Sequence, residues 1–166
     1  MRSARSTAVE SAAAWYRDCH FWPVQVRDDD VFLPLGRGTV AFDVPAQRAA
    51  RVQEVLERND IHTAALHVEQ PVPRVTFLGE ADDTVFGQFQ MPPGVRYLTV
   101  PFVLRLPLMT MSFPDNRKWF CSPDPARRWF PRAAALLAAV TAATPYALRA
   151  CRAPVPVRGR ERVLIG

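Results

Sequence analysis

Lysine is almost absent from this chain. Of its 166 residues 21 are basic, yet Lys118 is the only lysine and the other twenty are arginine. A phosphate-loop lysine or a Schiff-base lysine could therefore only be Lys118, and no glycine-rich loop precedes it. Glycine is scarce too, at seven residues. The one close pair, Gly36-Arg37-Gly38, is too short to cradle a phosphate and reads as a hairpin turn. The three cysteines, Cys19, Cys121 and Cys151, are odd in number and far apart, so neither a disulfide framework nor a Cys-x-x-Cys zinc site can be read. Long apolar runs are missing as well. The longest, Ala133 to Val140, falls far short of a membrane span. Ala12 to Trp15 is too short for a signal-peptide core and is soon followed by Arg17-Asp18. These absences predict a cytoplasmic chain with no membrane partner. Gly-x-Ser-x-Gly, His-Glu-x-x-His and Walker patterns are absent too.

What is present suits one globular domain. The apolar fraction is 49% and the charged fraction 22%. A chain of this size buries roughly 70% of its unfolded surface and needs no staple to fold. The formal charge is +5, but it is unevenly placed. Residues 149–166 carry a net +4 and residues 1–6 a net +2, whereas residues 7–148 sum to −1. The pattern predicts a basic N-terminal tail over 1–6, one domain over 7–148 and an Arg/Pro-rich C-terminal tail over 149–166.

Local patterning predicts the elements. Residues 8–19 are alanine-rich and put Ala8, Ala12, Trp15 and Cys19 on one helical face, with Thr7 and Glu10 spaced as a capping box. Strands are expected at 24–27, 31–35 and 39–44 as a meander, then at 64–69, 74–79, 95–100 and 117–121. A helix is expected from Pro45 to 58, with Ala49, Val52, Val55 and Leu56 at helical spacing, and another from Pro125 or Pro131 to about Ala143. Pro101, Pro107 and Pro114 make 101–116 an irregular edge segment. The sum is an α+β chain: a mostly antiparallel sheet with an N-terminal, a central and a C-terminal helix packed on it.

Several segments carry a resemblance. They are Trp22-Pro23-Val24, Val31-Phe32-Leu33-Pro34-Leu35-Gly36-Arg37-Gly38, Phe42-Asp43-Val44-Pro45 before an Ala/Arg helix, and Trp119-Phe120-x-x-Pro123 before an Ala-rich helix. Together they resemble a small actinobacterial group related to the bifunctional DNA primase/polymerase N-terminal domain. The resemblance spans about two-thirds of the chain. It implies a primase-polymerase-like α+β fold. That chemistry needs two or three converging carboxylates to hold paired metal ions. Asp43 stands on the matching strand, but its same-face neighbours are Ala41 and Pro45, so the second carboxylate is missing. The resemblance thus implies the fold with the metal set incomplete, as in a non-catalytic binding or regulatory domain without a cofactor. A divalent metal would be held only where the carboxylates converge.

The candidate catalytic residues are Asp43, His67 and Glu69. Asp43 also reads as a helix-capping acid, because it stands at a strand-to-helix junction. His67 and Glu69 share one strand face and read either as an acid–base pair or as a structural hydrogen-bonded pair. The candidate nucleic-acid residues are Arg117, Lys118 and Trp119 with Arg127, Arg128 and Trp129, two basic–aromatic clusters in a stretch, 117–132, of net charge +4. Arginine beside exposed tryptophan suits phosphate contact with base stacking, while buried tryptophan under arginine suits a core. The C-terminal tail could add nonspecific contact. The apolar, proline-punctuated stretch 91–113 is either core or a surface for a protein partner or a second copy.

Overall fold

A computed structural model describes residues 4–36, 38–69, 71–82, 90–108 and 116–144. The chain is α+β. Its helices are α1 (Ala4–His20), α2 (Ala46–Arg58) and α3 (Ala133–Ala142). Its strands are β1 (Gln25–Arg27), β2 (Asp30–Pro34), β3 (Thr39–Pro45), β4 (Ala65–Val68), β5 (Arg74–Glu80), β6 (Arg96–Leu98), β7 (Val103–Leu106) and β8 (Arg117–Cys121). They form two sheets, β1-β2-β7 and β6-β3-β5-β4-β8. Every pairing between these strands is antiparallel.

The expected meander is corrected. β1 and β2 do form a hairpin, across Asp28 and Asp29, whose positive φ angles suit a primed two-residue turn. β2 then pairs with β7, while β3 leaves for the larger sheet and pairs with β5 and β6. Pro101 and Pro107 flank a regular strand rather than break one, and Pro114 lies outside the described residues. β7 lies between Pro101 and Pro107 and holds the edge of the smaller sheet, where missing donors are tolerated.

Period-two alternation divides the larger sheet between two cores. On β3, Val40, Phe42 and Val44 face α2 and α3, joined there by Phe77, Leu56 and Leu136. α3 comes close because β5 offers Gly79, where a β-carbon would meet the Leu136 side chain at 2.6 Å. The opposite face, through Ala41, Leu78 and Leu98, joins α1 and the smaller sheet. There Tyr16 stacks on Trp22 at 5.5 Å, and Trp22 meets Phe130 at 5.2 Å and Trp119 at 6.0 Å. The Tyr16 hydroxyl donates to the Pro107 carbonyl at 2.9 Å and accepts from Trp119 Nε1 at 3.2 Å.

Two details at the start of α1 differ from expectation. α1 already includes Ala4, so Arg5 is helical rather than part of a tail, and Thr7 lies inside the helix instead of capping it. Arg5 pairs with Asp30 at 3.0 Å, and Arg105 reaches the same carboxylate at 2.8 Å. Asp82 accepts the Ala134 N–H at 3.0 Å and so caps α3. The C-terminal tail over 149–166 lies outside the described residues, as do Met109, Met111 and Phe113 of the apolar stretch. Among the described residues no helix is long and apolar enough to cross a membrane.

Candidate functional site

Register places the three candidate catalytic residues. One row across the larger sheet runs Arg96, Asp43, Thr76, Leu66 and Trp119. The adjacent row, on the opposite face, runs Val44, Val75, His67 and Lys118. Asp43 and His67 therefore project from opposite faces and do not share a cleft. Glu69 lies past the end of β4, exposed, and accepts from Lys118 Nζ at 2.9 Å. That hydrogen bond and charge hold its carboxyl below the usual range, with burial opposing and His67 adding slightly. Glu69 pairs with Lys118, in place of the His67 pairing that the sequence suggested.

Asp43 is not a helix cap. Pro45 stands at the N-cap of α2, with no side-chain cap bond. Instead the Asp43 carboxylate, 4% exposed, takes Arg74 Nε at 2.5 Å, Arg96 Nε at 2.8 Å and the Thr76 hydroxyl at 3.0 Å. Arg96 Nη2 is a further partner. Arg74 also bonds the Asp43 and Gly94 carbonyls. This carboxylate is committed to two guanidinium groups and a hydroxyl, and it ties β3, β5 and β6 together. Among the described residues no three of His, Cys, Asp and Glu gather to hold a metal ion.

The two basic–aromatic clusters part company. On β8, Trp119 is half-buried in the aromatic core, Lys118 holds Glu69, and Arg117 lines the cleft above Asp43. On the loop between β8 and α3, Asp124 turns the chain by accepting the Ala126 N–H at 2.9 Å and, through its carbonyl, the Arg127 N–H at 2.9 Å. Phe130 then packs onto Trp22 while Trp129 points outward, 84% exposed. Across from this loop, α1 ends at His20 and is followed by Phe21, whose φ is +57° and whose N–H bonds the Arg17 carbonyl. Glycine usually fills that left-handed position, and a phenylalanine there is strained. Phe21 is also 69% exposed, and the Arg128 guanidinium sits 4.9 Å above its ring.

Between these features lie two adjoining clefts that share His20, Trp22, Arg128, Trp129 and Phe130 as walls. The smaller is about 120 Å³ and adds His62, Thr63, Ser122, Asp124 and Arg127. The larger is about 470 Å³ and adds Phe21 and Thr39. His20 forms the common floor. It is buried, and among the described residues its Nε2 has no hydrogen-bond partner. Burial pushes its pKa below the ordinary histidine value; Asp124 opposes that shift and Arg128 adds to it. Burial pushes the Cys121 thiol up to about 11, which disfavours its thiolate. His20 and Phe21 were missed in the sequence. A histidine before Phe-Trp-Pro carries no motif, and only the left-handed turn brings it under the loop.

His20 has a consequence for pH. Its folded pKa lies below its unfolded value, so in the window beneath about 6.5 the unfolded state binds more protons. Stability is expected to fall as pH drops through that window. Replacing His20 by leucine removes an orphaned buried polar atom, so the variant should be at least as stable at pH 7.5. Urea unfolding at pH 7.5 and pH 5 should show a smaller loss in H20L than in wild type. Equal losses would mean that His20 is solvated in the folded state.

Compared with family models, curated proteins and solved structures, the chain matches none.

Proposed function

We propose that the protein is a non-catalytic, primase-polymerase-like binding domain that contacts single-stranded nucleic acid through the β8–α3 loop. One observation carries the reading: Trp129 is 84% exposed between arginines and beside an exposed, strained Phe21. A large ring held in water is available for stacking on a base, and Arg127 and Arg128 supply phosphate contacts. Of the sequence candidates, Arg127, Arg128 and Trp129 carry the role, whereas Trp119 has its indole N–H committed to Tyr16. Asp43, His67 and Glu69 have no part in it, since they do not converge. Direct titration of a fluorescent oligo-dT with wild type and Trp129→Ala tests the proposal.

Phe21 separates display from packing. Phe21→Gly relieves left-handed strain of about 1–2 kcal/mol per residue and removes a cation–π interaction of about 0.5–1 kcal/mol. Its melting temperature is therefore expected to be no lower than wild type, while oligo-dT binding weakens. A drop of several degrees would make the ring a packing element. A second reading, contact with a protein or another copy through 91–113, rests on the exposure of Val100, Phe102 and Val103. The other described apolar side chains of that stretch join the cores, with Leu98 and Leu106 buried. A concentration-independent monomer in sedimentation would count against it.

A further inference from the structure

The observation left over by the loop site is the cleft above Asp43. It lies between the Asp43 face of the larger sheet and β7 of the smaller, and its volume is about 410 Å³. That is within the range of small-molecule sites. Its apolar wall includes Leu66, Leu98, Val103 and Leu104. Four arginines also line it, Arg74, Arg96, Arg105 and Arg117, against the single carboxylate of Asp43.

The charges do not balance locally. Arg74 and Arg96 share the one charge of Asp43. Arg105 shares Asp30 with Arg5. The Asp43 carboxylate therefore faces two guanidinium groups, and that cluster keeps a positive excess. The excess has donors to offer: among the described residues Nη1 of Arg74 and Nη1 of Arg96 make no hydrogen bond. Arg96 is 62% exposed and stands at the cleft. Guanidinium donors beside an apolar wall match a ligand with a planar anionic head and a hydrocarbon body.

We propose that this cleft binds a small amphipathic organic anion, a carboxylate with an apolar body, with its head on Arg96 and its body against Leu98, Val103 and Leu104. Nucleic acid is a poor occupant, since among the described residues no aromatic side chain lines the cleft to stack on a base. The chain's own arginine-rich end carries charge of the same sign as the cleft. The proposal is independent of the loop site.

Isothermal titration of the full chain with octanoate, octylamine and inorganic phosphate tests it. Octanoate is expected to bind saturably at one site. Octylamine should not bind, and phosphate should bind more weakly than octanoate. Arg96→Gln keeps a neutral donor near Asp43 and should weaken octanoate about tenfold or more, which corresponds to about 1.4 kcal/mol. Val103→Asp places a negative charge in the cleft from an exposed position on β7, away from the Asp43 pair, and should weaken it similarly. Circular dichroism confirms that both variants fold. Absence of saturable octanoate binding to wild type overturns the proposal, as does unchanged affinity in the folded Val103→Asp variant. Saturable octylamine binding, or phosphate binding at least as tight as that of octanoate, also overturns it. Displacement of octanoate by oligo-dT would place both ligands at one site and refute the location.

Discussion

Asp43→Ala is expected to lower the free energy of unfolding by about 3–5 kcal/mol, the usual cost of removing one partner from a buried ion pair. For a chain of this length that corresponds to a melting temperature lower by about 6–20 °C. The reason is local. The carboxylate is almost fully buried and holds Arg74, Arg96 and Thr76, which reach it from β5 and β6. Removing it leaves two guanidinium groups facing each other at one cleft, with Thr76 also deprived of its acceptor. Calorimetry of the single variant and of Asp43→Ala combined with Arg96→Leu checks the cause. The double variant removes one of the two stranded charges, so it should be more stable than the sum of the single effects predicts, by about 0.5–3 kcal/mol. Strict additivity would mean that Asp43 and Arg96 do not act together. A near-neutral Asp43→Ala would reopen a chemical role for the carboxylate.

The same residue shows how far the sequence could be read. β3 was legible because Thr39 to Val44 alternates and is rich in β-formers, and Asp43 was visible as the odd polar residue on it. Its partners were not visible. Arg74 and Arg96 lie 31 and 53 residues away, and only the β5-β3-β6 order brings them beside it. Twenty arginines in the sequence give no hint of which two are chosen. The helices were legible for a similar local reason, since Ala49, Val52 and Leu56 recur on one face and are buried. The split into two sheets was not. Short connections around Gly36 and Gly38 favour a meander, and it is overruled by non-local pairing of β2 with β7, more than seventy residues on. His67 illustrates a third limit. Its strand was correctly placed, but the face it uses depends on register against β5, which a single strand does not specify.

Trp129→Ala is expected to weaken single-stranded DNA binding by about 5- to 150-fold, because one base stacked on an aromatic ring is worth about 1–3 kcal/mol. Fluorescence isolates the residue. Trp22 is buried, Trp15 and Trp119 are half-buried, and Trp129 is exposed, so iodide quenching should report mainly on Trp129 and be relieved by bound oligo-dT. Arg127→Gln with Arg128→Gln should reduce the slope of log affinity against log salt by about 1.4, since each phosphate that an arginine neutralises on a single strand accounts for about 0.7. Deleting residues 149–166 removes five arginines and should also flatten the slope, yet it should leave the protection of Trp129 intact. The two manipulations act on different parts of the binding energy. Stacking is insensitive to salt, whereas the arginine–phosphate pairs release counterions. If the deletion abolishes binding while Trp129→Ala leaves it unchanged, binding belongs to the tail alone and the loop has no ligand in nucleic acid. If Trp129→Ala is defective at low and high salt alike, the exposed ring is the recognition element and the arginines around it set affinity rather than position.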